Sequence, residues 1–163
     1  LRALRPFDTL LEIGCSVGPN LKLIKDEYPS LSTVGIDASE LSVEAAHKFV
    51  PGAGVILGDA RHMPSGLKSF DIVLADASLM YIEPDEINRV MDAIALITKK
   101  AVIIIERCTD SKKGSVAGGV WGRDYEHLLK ERGFKVTKEN ITEEQWPHSP
   151  NWVKYGYYLG GRK

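Results

Sequence analysis

Three short stretches of the sequence place chemistry-bearing residues where a chain turns. Glu12-Ile13-Gly14-Cys15-Ser16-Val17-Gly18-Pro19-Asn20 runs from an apolar segment into a helical pattern. Its small residues let backbone approach a ligand closely, and the helix that follows offers free N–H groups to an anionic group. Asp37 closes the apolar run Thr33–Ile36, and a carboxylate at such a tip accepts both hydroxyls of a ribose. Asp59 closes Val55–Leu57 after Gly58. An acid there accepts a hydrogen bond from an adenine amino group, while the Ala60 backbone N–H donates to a ring nitrogen. The pattern is that of a nucleoside-binding cleft.

The elements that must carry these residues follow from periodicity. Thr9–Ile13, Thr33–Ile36, Val55–Leu57, Phe70–Ala75 and Ala101–Ile105 read as strands, the last as one buried on both faces. Helical patterns lie between them at Pro19–Tyr28, Ser42–Phe49 (capped by Ser39) and Asp85–Ile97, where Ile87, Val90, Met91, Ile94 and Ile97 recur at helical spacing. Arg123–Arg132, ended by Gly133, is a further helix. Phe134–Thr142 and Val153–Leu159 are the last strands, and their short connector implies an antiparallel pair. Alternating strands and helices predict an α/β fold with a parallel sheet, and a single domain over residues 1–163.

Composition narrows the class. The chain has 163 residues, 44% hydrophobic and 26% charged, with net charge −1. That balance argues against a nucleic-acid binder, which carries a basic excess. Two cysteines, Cys15 and Cys108, make neither a disulfide framework nor a zinc site. They read as reduced thiols of a cytoplasmic protein. No run is long enough to span a membrane.

The ordered set LLEIGCSVGPN, VGIDAS, GDARHMP and FDIVLADASLMYI resembles the class I S-adenosylmethionine (SAM)-dependent methyltransferases. The resemblance runs from about Thr9 to Ile105 and weakens beyond. It implies a Rossmann-like, doubly wound, seven-stranded sheet, mostly parallel, with an antiparallel last strand inserted between its neighbours. It also implies SAM as cofactor. Glu12, Gly14, Cys15 and Gly18 would cradle the methionine part, Asp37 and Ala38 the ribose, and Asp59 and Ala60 the adenine, with Met63 beside them. Ala75 would offer backbone near the methionine amine. The chain departs from the family loop at Ser16, where a second glycine is usual. The N-terminal helices that cover the active site in this family have no counterpart, so an N-terminal cap is expected to be missing.

In an open α/β sheet, ligands bind beyond the carboxyl ends of the strands. The connectors there, 75–83, 107–121 and 143–152, bring Tyr81, Arg107, Trp121, Tyr125, Trp146, His148 and Trp152 to one rim. Tyr81, Trp121, Tyr125 and Trp146 are the expected substrate contacts, suited to a flat or apolar small molecule. Thr109–Gly119 is polar and glycine-rich and reads either as a lid carrying Lys112 and Lys113 or as a surface loop. Methyl transfer needs a general base only for an acceptor that is protonated at neutral pH. The candidates are Asp76, Glu106, His148 and His62, with Asp76 and His148 carried forward. No metal ligand cluster is expected, and Ala75-Asp76-Ala77-Ser78 lacks the proline pair of nucleic-acid base methylases. Two other readings stay open: a SAM-binding subunit without catalysis, and a nicotinamide-dependent oxidoreductase, whose G-x-G-x-x-G is absent.

Overall fold

The computed structural model describes residues 1–64, 66–109, 115–117 (as backbone) and 120–163. Five strands lead: β1 (Thr9–Ile13), β2 (Ser32–Asp37), β3 (Gly54–Leu57), β4 (Phe70–Asp76) and β5 (Thr98–Arg107). A short pair follows, β6 (Ser115–Ala117) and β7 (Val120–Gly122), then β8 (Lys135–Asn140) and β9 (Gly156–Arg162). The helices are α1 (Pro19–Glu27), α2 (Glu40–Phe49), α3 (Ile87–Ile97), α4 (Tyr125–Lys130) and α5 (Pro150–Tyr155).

The main sheet has the order β3-β2-β1-β4-β5-β9-β8. Strands β1 to β5 pair in parallel, and β9 is antiparallel to both neighbours. The order reverses between β1 and β4, the crevice where open α/β sheets bind ligands.

Local chemistry accounts for the elements. Pro19 starts α1, where a missing N–H costs nothing. The Ser39 hydroxyl accepts from the Ser42 amide at 3.3 Å and caps α2. Leu21 and Ile24 of α1 and Val43 and Ala46 of α2 pack with Leu10 and Ile72 on one sheet face. Ile87, Val90, Met91, Ile94 and Ile97 of α3 pack with Val73, Val102 and Ile104 on the other.

Three expectations are corrected. The last strand begins at Gly156 rather than Val153, because residues 150–155 form α5. Pro150 at the first helical position was the signal, overridden by the strand-like run from Val153. Arg123 lies outside α4, which starts at Tyr125 after the Asp124 carboxylate accepts from the His127 amide at 2.9 Å. Within the expected lid, Ser115–Ala117 pairs antiparallel with Val120–Gly122 instead of forming plain loop. Lys112, Lys113 and the rest of 110–114 and 118–119 lie outside the described residues.

Candidate functional site

A cleft of about 530 Å³ opens at the carboxyl ends of β1 to β4, lined by Gly14, Ser16, Asp37, Ala38, Asp59 and Ala60 among others. That volume suits a cofactor-sized ligand. Gly14 sits at φ +71, and a Cβ there would lie 2.4 Å from the Ser78 Cβ, so only glycine fits. Ser16, at φ 49, takes the left-handed conformation that the family's usual glycine would adopt freely. Its amide is held in compensation: Asp37 Oδ2 accepts it at 2.8 Å. Asp37 Oδ1 accepts the Ser39 amide at 2.9 Å. The carboxylate thereby joins the glycine loop to the start of α2, and its remaining lone pairs stay available to hydroxyls.

Asp59 is differently placed. Arg61 grips it through Nη2 at 2.6 Å and Nε at 3.0 Å, and Oδ1 also accepts the Arg61 amide at 2.8 Å. These bonds hold the Asp59 carboxyl below the ordinary carboxylate range. Arg61 reaches on to Glu83 at 3.5 Å, so a cation spans the nucleoside end of the cleft. Sequence reasoning missed Arg61, although it stands two residues after the acid it pairs with.

Behind the glycine loop lie two acids on one face of the sheet. Asn20 donates to Glu12 Oε1 at 2.8 Å and to Asp76 Oδ2 at 3.0 Å. Glu12 Oε2 and Asp76 Oδ1 are buried without a hydrogen-bond partner. Burial, partly offset by the Asn20 bond, pushes the Glu12 carboxyl up to about 8. Burial likewise raises Asp76. Two orphaned acceptors beside a close-approach glycine fit a ligand bearing an ammonium group. Tyr158 on β9 sits level with Asp76 across β5, and burial and then that acid raise its phenol.

Other expected residues divide plainly. Cys15 is 1% exposed, packed under Gly35 in the core and outside the cleft lining, and burial lifts its thiol to about 12, so it presents no thiolate. Gly18 turns the chain into α1 at φ +88. Ala75 is fully buried in β4. Met63 packs half-buried against the core. Tyr81 lines the cleft and is 60% exposed. Trp121 is half-buried on β7, and Trp146 stacks on Trp152 with ring centroids 4.9 Å apart. Tyr125 is not on the rim: it is 0% exposed in the core, with its hydroxyl 3.4 Å from Arg123 Nη1. Leu129 and Phe134 belong to the same cluster, which explains why an aromatic at the start of α4 turns inward. His62 and His148 are exposed and absent from the cleft lining, and the His148 amide donates to Glu143. Glu106, a candidate base on sequence, is fully buried on the other sheet face, where Oε1 accepts the amides of Ser78 and Leu79. Among the described residues no group of three or more His, Cys, Asp or Glu is placed to hold a metal ion. No described helix is long and apolar enough to cross a membrane.

A family model for a methyltransferase domain matches residues 10–101. Trans-aconitate 2-methyltransferases match about the same span: that of Escherichia coli K12 is 22% identical over 103 residues, 63% of this chain, and that of Enterobacter sp. 28% over 104 residues. The chain spans 40% of the length of these curated relatives. The plantazolicin methyltransferase BpumL, solved with a triazolic desmethyl analogue and S-adenosylhomocysteine (SAH), superposes with a TM-score of 0.73 at 17% identity, covering 98% of this chain and 78% of that one. A Pyrococcus horikoshii protein gives 0.76 at 21%, covering 99% and 84%. Likeness at that identity speaks for the fold. The domain match, with the switch-point cleft and its two strand-tip acids, makes this chain a member of the class I SAM-dependent methyltransferase family.

Proposed function

We propose that this domain transfers a methyl group from SAM to a small-molecule acceptor. The observation that carries the reading is the donor cleft: Asp37 fastened to the glycine loop, Asp59 at the next strand tip, and two orphaned buried acids beneath. Gly14 and Ser16 hold the backbone where the methionine part lies, Glu12 Oε2 receives its ammonium, and Asp37 takes the ribose hydroxyls. Asp59 and Ala60 would hold the adenine, with Arg61 in the same stretch of the lining. When bound, SAM supplies an already activated methyl on a sulfonium.

The protein's part is placement and exclusion of water. Tyr81, on the 79–81 turn, lines the cleft and would stand between donor and acceptor; Trp121 and Trp146, outside that lining, are the further candidates for acceptor contact. For a hydroxyl acceptor, Asp76 removes the proton. Asn20 fixes its Oδ2, its Oδ1 is unpartnered, and burial raises its carboxyl in the direction a base working near neutral pH requires. Neither Asp76 nor His148 is in the cleft lining; Asp76 is preferred because it is fixed beside the glycine loop through Asn20, whereas His148 is exposed.

The kinship with trans-aconitate and plantazolicin methyltransferases supports a small-molecule acceptor and suggests the first panel. The test is incubation with methyl-labelled SAM and trans-aconitate, related polycarboxylates and azole peptides, following label transfer and SAH release. Calorimetric titration with SAM and with NAD runs in parallel. Transfer to one acceptor class with binding of SAM alone is expected. Binding of NAD without SAM would overturn the proposal.

A further inference from the structure

A clasp of two buried ionisable side chains holds the cleft-lining turn 78–82 from behind. From β5, Glu106 Oε1 accepts the amides of Ser78 at 2.7 Å and Leu79 at 2.5 Å. From the junction of β7 and α4, Arg123, 5% exposed, donates through Nη1 to the Leu79 carbonyl at 2.9 Å and through Nη2 to the Ile82 carbonyl. Ser78, Leu79 and Ile82 all line the donor cleft. Ser78 also ties the turn to the glycine loop, its hydroxyl donating to the Ile13 carbonyl at 2.8 Å.

Arg123 belongs by its backbone to the opposite side of the site. Its amide donates to the Arg107 carbonyl at 3.3 Å, its carbonyl accepts from the Thr109 amide at 3.0 Å, and it bridges Cys108 in parallel. These bonds fasten the end of β5 to the strand that carries Trp121. Desolvating a guanidinium is expensive unless its donors are met. Nη1 and Nη2 are met by the carbonyls of residues 79 and 82, with the Tyr125 hydroxyl a longer 3.4 Å from Nη1. The position of the cleft turn and the position of the acceptor-side connector therefore determine each other.

We infer that Arg123 is a positioning residue that couples the donor cleft to the acceptor-side connector, so that filling the first orders the second. The inference rests on the reading of the cleft as a SAM site. Reciprocity requires that an acceptor docked on the connector tighten the donor in turn.

Hydrogen exchange on the unaltered protein, with and without SAH, tests it without risk to folding. Slowed exchange at residues 120–124 as well as at 78–82 is expected. Calorimetry on folded variants adds a second arm: Arg123→Gln weakens SAH roughly tenfold, and Arg123→Lys, which keeps charge but reaches one carbonyl at most, recovers part of that. A structural role alone would lower the melting temperature of both variants and leave SAH affinity in place. SAH that binds while protection stops at 78–82 and the glycine loop overturns the coupling but leaves the donor reading standing. No SAH binding to the unaltered protein overturns both.

Discussion

The two sides of the strand tips, proposed here for donor and acceptor, are built in opposite ways. On the donor side, short connectors after β1, β2 and β3 have their backbone fixed by side chains a few residues or one strand away. Asp37 holds Ser16 and Ser39, Asp59 holds Arg61, and Gly14 fits against Ser78. On the proposed acceptor side, the connectors after β5 and β8 carry rings outside the cleft lining: Trp121, the stacked Trp146 and Trp152, and Tyr155 beneath the Arg107 guanidinium at 5.6 Å. A rigid polar cradle matches a ligand whose hydroxyls and amine never vary. A rim of aromatic surface sets apolar area against a partner and leaves its polar pattern open.

Substitutions on the two sides should behave accordingly. The largest effect belongs to Gly14→Ala. A methyl 2.4 Å from the Ser78 Cβ at φ +71 costs about 3 kcal/mol or more in overpacking and strain. Loss of donor binding together with a clear fall in melting temperature is expected, and an unchanged titration would mean that the loop is looser than the contact implies. Next is Asn20→Ala, which leaves Glu12 and Asp76 buried without their shared donor. Donor affinity should fall by roughly tenfold, the scale of leaving buried acceptors without their hydrogen-bond donor. Asp59→Ala follows. Because Arg61 already occupies both carboxylate oxygens, its effect on donor affinity should be smaller than that of Asp37→Ala, and an equal or larger loss would show that Arg61 swings away when the nucleoside binds. Trp146→Ala should be the mildest for the donor, moving the acceptor KM while SAH affinity stays within about twofold.

The buried acids sharpen the contrast through pH. Burial pushes Glu12 and Glu106 each up to about 8, from an ordinary value of 4.5. The folded chain therefore keeps protons that the unfolded chain releases. Stability is full below about 4.5 and falls as pH rises from there through 8. Asp59 and Asp71, lowered by their partners, act below this window and do not offset the fall. Melting temperature should drop between pH 5 and 8.5, and Glu106→Gln should flatten part of that drop. A melting temperature that climbs with pH over the range would contradict a neutral buried pair.

The same contrast explains what could be read in advance. The glycine turn and the acid at each of two strand tips were legible because they are local features, at spacings that strand and helix periods fix. Asn20 stood inside the motif without a role, since one of its two acceptors, Asp76, lies 56 residues away in sequence. Arg123 and Glu106 were opaque for the same reason, as their partners are main-chain groups of a distant turn. Tyr125 was misplaced because position after a strand end says where a residue starts, whereas core space beside Leu129 and Phe134 decides where its ring goes. Helix α5 was missed because the run from Val153 reads as strand, although Pro150 marked the helix start.

Calorimetric titration of SAH into the unaltered protein and into Asp37→Ala addresses the donor cradle most directly. Asp37→Ala removes the acceptor that holds the Ser16 loop and that is proposed to take the ribose hydroxyls. Saturable binding to the first and at least about 30-fold weaker binding to the second is the expected result, given the 1.5–3 kcal/mol scale of each lost charged hydrogen bond. Equal affinity in both would contradict it.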